Sequence, residues 1–560
     1  VTVMDKDKII KYYEAKLRHA KEVRQTYEHD WEDIMNHIAP DLKGYLITER
    51  KDKGERTDEY IYDNAPASYS QKCSAGMFAS ISSPSRPWLQ RKMSNARINE
   101  IPGVRAWLDD VTKTDYAILH ESNFYPRAHT MYLHLPNIGT AVMIIDKDYE
   151  NIVHCTTLNV GEYWLDIDGK GIVDSLYREI EYTAAQLVEL FGEDNLPGTI
   201  TDSITEDDPV GNRSNTVVHV IAPDDMHIAP FKKPYVSLYY LRGKSDKQII
   251  EIKGYNRKPF VSPRWYVNNN ETYGKMCPGR NSLGNCKQLQ SMMYDYMDAI
   301  NKELNPATQG TADLSEVSTI PGDYNKINPT GPDATIKRLV EINPQLAVMW
   351  QAIQDKKQQI SEDFYIDLFM SVSMREDKQM TAEEVRAISG ERMMALGPAL
   401  ENMHDEFLNP ATEILFDYGM EAGVYPDIRN YVSESDLQYL QGQNIKTDYI
   451  SIMAQAQKIV DLGRIDQVIA YGEKLAGLDP TVMDKLDSDQ VIDEVADMTG
   501  APGSIIRSDE AVVQIRQNRA KQQQMQQAAE MAQTAANVGS AASKMPMDQD
   551  TALTRFLGVQ

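Results

Sequence analysis

From Ile10 to Ile38 the apolar residues Ile10, Tyr13, Leu17, Ala20, Tyr27, Trp31, Ile34 and Ile38 recur at helical steps, mostly of three and four. The spacing predicts an amphipathic helix of about eight turns, stopped by Pro40. A second helix is expected from Asp63, read as its N-cap, to Ile81, where Ser82-Ser83-Pro84-Ser85-Arg86-Pro87 ends it just before Trp88. Between Thr140 and Val267 the pattern changes to short β-rich runs, among them Thr140 to Ile145, Thr216 to Ile221, Val236 to Leu241 and Gln248 to Ile252. One helix, Thr183 to Phe191, interrupts them.

Past Gly284 the period becomes helical again. Leu289, Met292, Met293, Tyr296, Met297, Ile300 and Leu304 draw one stripe, broken by Asn305-Pro306. Residues 306–345, rich in Gly and Pro, form a small excursion. A matched helix then carries Leu346, Trp350, Ile353, Ile360, Phe364 and Leu368. The segment 370–380 is polar, and Thr381-Ala382-Glu383-Glu384 reads as a capping box, because hydroxyl and carboxylate satisfy the free amides of a new helix. Pro398 and Pro410 each remove a hydrogen bond from that helix and should bend or break it. Short helices punctuated by Gly and Pro follow to about Glu510, and a Gln/Ala/Met helix then decays into a tail of low complexity. The fold class is α+β, predominantly α-helical.

Composition narrows the function. The chain has 560 residues, 58 Lys and Arg against 83 Asp and Glu, and a formal charge of -25. That is the wrong sign for a protein that grips nucleic acid by neutralising phosphates. Cys73, Cys155, Cys277 and Cys286 are too few for a disulfide framework and make no zinc pattern, which points to synthesis in a reducing interior. No run approaches ~18 apolar residues, and the charged N-terminal stretch lacks the apolar centre of a signal peptide, so neither membrane insertion nor export by that route is expected.

Catalytic motifs are missing. Gly243-Lys244-Ser245 has Leu238 where a phosphate-binding loop needs glycine, and His120-Glu121 has no second histidine at helical spacing. The acidic pairs Asp109-Asp110, Asp207-Asp208, Asp224-Asp225 and Glu383-Glu384 read as solvated surface; the bolder reading makes them Mg²⁺ ligands. No cofactor and no metal is expected, and the chain is read as a structural or assembly protein, not an enzyme.

Three stretches carry a family likeness. The first runs from Asp63-Asn64-Ala65 through Ala75-Gly76-Met77 to the turn containing Pro84 and Pro87 and on to Trp88. The second holds Thr381, Glu384, Glu391, Arg392, Gly397 and Pro398, closed by Glu406, Leu408 and Pro410. The third covers Tyr449 to Gln457 and Pro480 to Asp487, with Ile452-Met453 in place of a more usual Pro-Leu. Together they resemble the portal, or head-to-tail connector, proteins of short-tailed phages related to the T7 group.

The resemblance implies a ring of twelve copies at one capsid vertex, through which DNA is packaged, retained and ejected and to which the tail attaches. It implies a wing (1–280), a stem helix (281–304), a clip (305–345), a second stem helix (346–369), a tunnel loop (370–380), a further wing helix (381–430), a crown (431–510) and a C-terminal helix and tail (511–560). Leu289, Met293, Tyr296, Ile300, Leu346, Trp350, Ile353, Ile360, Phe364 and Leu368 are then stem-packing residues. Arg375 and Lys378, followed by Lys287, Lys302, Lys356 and Lys357, are candidates to face double-stranded DNA, held weakly and without sequence specificity. Expected partners are the large terminase ATPase at the clip, tail adaptor proteins, and the major capsid and scaffolding proteins. The expected location is the virion, after synthesis in host cytoplasm. A tail adaptor, a helical assembly protein or a metal-dependent hydrolase are the competing readings.

Overall fold

A computed structural model of the chain describes residues 3–45, 59–99, 101–205, 208–211, 215–242, 249–311, 318, 320–327, 337–338, 345–370, 396–434, 445–449, 485–499 and 509–542, with parts of 437–475. The first helix, α1 (Val3–His37), is as long as its stripe demands and ends before Pro40. α2 (Ala65–Ile81) begins two residues after the expected cap. Asn64 is its N-cap residue, while the Asp63 carboxylate accepts the Ala65 N–H at 2.8 Å. A turn at Pro84 and Ser85 leads into β1 (Leu89–Met93). The next fifty residues, for which the hydrophobic pattern suggested no element, hold α3 (Ala96–Asn99), α4 (Pro102–Glu121) and α5 (Phe124–Ile138).

The β-rich part contains β2 (Val142–Asp148), β3 (Ile152–Leu158), β4 (Tyr163–Ile167), β5 (Val173–Tyr182), α6 (Ala184–Phe191), α7 (Gly198–Thr201), β6 (Asn215–Pro223), β7 (Tyr235–Leu241), β8 (Ile249–Tyr255) and β9 (Phe260–Val261). β4 to β8 make a five-stranded antiparallel meander in sequence order, and β2 joins β3 and β9 in a second sheet. Thr183 and Gln186 cap α6 reciprocally.

α8 (Pro278–Leu304) is followed by β10 (Thr308–Thr311), β11 (Tyr324–Ile327) and β12 (Lys337–Arg338), which form a small sheet, and then by α9 (Leu346–Asp363). The matched helix of the second stripe is not continuous. Tyr365 takes a left-handed conformation, φ 56°, and a separate short helix, α10 (Ile366–Met370), carries Leu368. Further on come α11 (Gly397–Met403), a π-helical turn at His404–Leu408 and α12 (Asn409–Ala422). The two prolines act as expected but differently: Pro398 sits in the first turn of α11, and Pro410 follows the widened turn, where a missing N–H is accommodated without ending the helix. β13 (Ile445–Tyr449) returns to pair with β1, and α13 (Ser488–Thr499) and α14 (Asp509–Ala542) complete the described elements.

α1 joins the layers. Ile10, Tyr13 and Leu17 bury against Val218, Val220 and Leu238 of the meander, and Trp31 and Met35 pack with Tyr163, Leu176 and Tyr273. Ile34 and Ile38 enter the largest core, made by α2, α5, α8, α9, α11 and α12. Successive lengths of one apolar stripe thus serve three cores.

Candidate functional site

α8 and α9 pack side by side as a hairpin whose root is embedded in the main core. The root closes on the end of α5, where Gly139 and Gly274 let two backbones touch: a Cβ on Gly274 would lie 2.0 Å from the Gly139 carbonyl oxygen. Cys277 donates its thiol to the Asn137 carbonyl at 3.3 Å, and Gly279 packs on the same residue. Above this point Leu289, Ile353, Ile360 and Phe364 are fully buried, and Leu368 beyond the break is buried to 6% exposure. Met292, Met293 and Tyr296 lie partly buried against the same core, and the Tyr296 and Trp350 rings stack obliquely, 5.5 Å apart.

Along the hairpin the apolar stripe becomes progressively exposed. Ile300 and Leu346 are half-buried. Tyr294, Met297, Leu304, Val348 and Trp350 are exposed, Leu304 by 72%. The small sheet at the tip adds exposed Ile320 and Tyr324. A monomer pays a cost of roughly 25 cal/mol for each Å² of such surface left in water.

Polar contacts fix the root. Buried Gln290 accepts the N–H groups of Tyr62 and Asp63 at 2.7 and 2.9 Å and donates to the Asp63 carbonyl at 2.9 Å. The Asp63 carboxylate binds Lys357 at 2.6 Å. One short segment before α2 is thereby held by both helices of the hairpin. Lys287 meets Asp33 of α1 at 2.6 Å, and Arg280 pairs with Asp30. Lys356 donates to Asn285 at 3.1 Å and to Gln359 at 3.0 Å, and Lys302 pairs with Asp298 one turn before it. The four lysines of the hairpin are therefore all engaged, two of them with α1 and the segment before α2. Gln290, Asp33 and Asp30 were not singled out from sequence; a glutamine inside the apolar stripe beside Leu289 is the one signal that marks Gln290.

Of the family-motif residues, Pro84 and Pro87 are exposed in the turn. Trp88 is buried between Phe124 and Tyr449, with stacked rings 6.3 and 6.4 Å away, and its backbone N–H donates to the Tyr116 hydroxyl at 2.6 Å. It plugs the core and pins β1. Gly397 and Pro398 open α11. Glu406, on the π turn, receives the Arg264 guanidinium and its backbone N–H, tying α11 and α12 to the strand region. Arg375, Lys378, Thr381, Glu384, Glu391 and Arg392 lie outside the described residues.

The described acidic pairs serve structure, while Asp207, Glu383 and Glu384 lie outside the described residues. Asp224 accepts the N–H groups of Ile228 and Ala229, and Asp225 takes Lys16 and Tyr12, both at 2.8 Å, with the Lys16 hydrogen bond holding its carboxyl below the ordinary value. Asp110 binds Lys113 and the Tyr431 hydroxyl, which lower its pKa in that order. Among the described residues no three metal-ligating side chains converge, and no helix is long and apolar enough to cross a membrane. All four cysteines are free and buried, and burial pushes the Cys277 thiol up to about 11.

A family model described as bacteriophage head to tail connecting protein matches residues 11–506. The chain is 32% identical over 532 residues to the probable portal protein of Bordetella phage BPP-1, covering 92% of this chain and 93% of that one. It is 30% identical over 556 residues to the portal protein of Salmonella phage epsilon15, covering 98% and 97%.

Proposed function

This chain belongs to the bacteriophage head-to-tail connecting, or portal, protein family, whose members are structural virion components, and on that premise we propose that its hairpin is the stem of a closed ring around the DNA channel. The observation that carries this is the contrast along α8 and α9, whose root is buried and polar-locked while the part towards the tip exposes Met297, Leu304, Val348 and Trp350. Side-by-side hairpins of neighbouring copies would cover these residues, and cyclic symmetry would repeat the contact until the ring closes. Twelve copies is the number the family resemblance gives. The narrower placement beside the T7 group rests on motif order alone.

In this ring residues 1–280 and 381–430 form the wing, 281–304 and 346–369 the stem, 305–345 the clip, 370–380 the tunnel loop, 431–510 the crown and 511–560 the C-terminal helix and tail. The clip docks the large terminase ATPase during packaging and the tail adaptors afterwards, and the wing meets the capsid and scaffolding proteins. Each copy brings a formal charge of -25. An acidic wall suits passage, because every phosphate neutralised by a fixed cation adds to binding and so brakes the DNA. With Lys287, Lys302, Lys356 and Lys357 engaged by neighbouring side chains, guidance of DNA falls first to Arg375 and Lys378.

Native mass spectrometry of the purified full chain tests the central point. A single closed oligomer, twelve-membered by resemblance, is the expected result. Monomers and dimers alone, across micromolar concentrations and moderate salt, would overturn it.

A further inference from the structure

The five strands of the meander align one row of side chains across a single face. Tyr163, Arg178, His219, Tyr239 and Glu251 are successive cross-strand partners from β4 to β8. Partners in an antiparallel ladder share a face, and so do residues two apart along a strand. To one side of this row Leu165, Leu176 and Ile221 pack with Val142 and Ile144 of the second sheet. To the other side Val217 and Leu241 pack with Leu187 and Ile200 of α6 and α7. A polar row, Arg178 to Tyr239, thus runs between two apolar clusters.

Its central groups are only partly satisfied by the chain. His219 is 3% exposed, its ring lies flat on Tyr239 at 3.9 Å, and Nε2 meets the Ser237 hydroxyl at 2.9 Å. Its Nδ1 is buried and has no hydrogen-bond partner among the described residues, and the same holds for Nε of the neighbouring Arg178. Burial, and then the charges of Arg178 and Lys253, lower the His219 pKa well below 6.5, so the ring is neutral and has one donor and one acceptor nitrogen. Asp146 of β2 continues the face of Ile144 and turns the same way. Burial raises its pKa, and the charges of Lys253, Arg178 and His154 oppose that rise. The row is not sealed: Asp146, Tyr239, Lys253 and Tyr255 also line a cleft of about 530 Å³ between β8 and α12, with fully exposed Tyr149 at its rim.

We propose that ordered water enters from the cleft and occupies this row, bridging Arg178 Nε and His219 Nδ1 towards the Asp146 carboxylate, so that the meander meets the second sheet through a hydrated polar seam. The charges do not select an anion, because Lys253 is paired with Glu251 at 2.9 Å and the Asp146 carboxylate offsets Arg178. What needs partners here is a guanidinium donor, an imidazole nitrogen and an acceptor carboxylate. Water both donates and accepts, and so satisfies all three. A buried water takes about 30 Å³ and about three hydrogen bonds, which this place supplies. Ring assembly is neither required for this nor explained by it.

X-ray hydroxyl-radical footprinting of the full chain tests the proposal, because radicals formed from bound water oxidise the side chain beside it even where bulk solvent does not reach. His219 should be oxidised, while Phe260, fully buried in the adjacent apolar cluster, should not. Arg178→Met combined with Asp146→Leu removes opposite charges together and should bring His219 oxidation down to the level of Phe260. A map of the unaltered chain at about 2 Å resolution gives a second reading, with water expected within about 3.2 Å of Arg178 Nε and His219 Nδ1. Protection of His219 equal to that of Phe260 in the unaltered chain would overturn the proposal. So would unchanged oxidation in the double variant, or a map in which the two nitrogens meet protein groups or an ion instead of water.

Discussion

Arg91 and Asp115 meet at 2.7 Å in a site that leaves the arginine side chain 3% exposed and the aspartate 0%. Arg91 also donates to Thr447 of β13 at 2.8 Å and to the Thr412 carbonyl of α12 at 2.9 Å, while Tyr425 donates to Asp115. Three distant stretches of chain converge on one guanidinium. Burial raises the Asp115 pKa, and Arg91 opposes that shift. Arg91→Ala strands the carboxylate and is expected to destabilise the protein by about 3–5 kcal/mol in urea denaturation. Replacing both residues with leucine should cost much less.

His134 is buried and neither ring nitrogen has a hydrogen-bond partner. Desolvation lowers its pKa from 6.5 to about 4. The unfolded chain therefore takes up a proton below pH 6.5 while the folded chain does not, so stability falls as pH drops from 6.5 to about 4. The loss is about 1.4 kcal/mol per pH unit, roughly 3 kcal/mol in all. His134→Leu should flatten that part of the stability profile, measured by urea denaturation between pH 4 and 7.

Gly274→Ala forces a methyl group onto the Gly139 carbonyl and is expected to cost about 3 kcal/mol or more. Gly284→Ala is the control. No atom stands within 4 Å of a Cβ there, and this position inside α8 should gain up to about 1 kcal/mol in thermal unfolding.

Long single-period segments were legible in sequence: α1, α2, α8 and the strands β6, β7 and β8 lie where the apolar pattern puts them, while β4 and β5 were not singled out. α4 and α5 were not. Asp115 interrupts the stripe of Val111 and Ile118, and Pro136 lies inside α5, so the pattern reads as broken where tertiary contacts in fact satisfy both. The end of α9 has no glycine or proline to announce it; Phe364 fills the core and Tyr365 takes the strained turn. The pairing of β1 with β13 links residues some 350 positions apart, a relation no local pattern encodes. The same limit applies to the site. Periodicity selects the hairpin stripe, but the acids that engage Lys287 and Lys357 come from α1 and the segment before α2, and only the folded chain brings them together.

Leu304→Glu with Trp350→Glu places charge on the exposed tip of the hairpin. The monomer should lose no more than about 1–2 kcal/mol, because Leu304 is 72% exposed and Trp350, though it packs on Tyr296, is 43% exposed. Sedimentation velocity should show loss of the closed oligomer. An unchanged oligomer would move the subunit interface away from the tip.

Arg375→Ala with Lys378→Ala should assemble normally and yield particles that hold less DNA than wild type. DNA content per particle, measured at two salt concentrations, decides it, since contacts to phosphates weaken with salt. Equal content at both salts would remove the loop's guiding role.

α8 is 27 residues long, about 40 Å at 1.5 Å per residue; its stretch from Pro278 to Tyr296 packs against the main core, and its last turns expose Met297 and Leu304. In mechanical terms it is half of a cantilever. A load applied at the tip becomes a bending moment at the root, where Lys357 to Asp63, Lys287 to Asp33 and Arg280 to Asp30 act as guy lines on different sides. The paired helices and the small sheet at the tip stiffen the beam, and the helix breaks at Tyr365 before α10. A load at the tip would thus be met at the root by the buried apolar seam together with three ion pairs and one glutamine.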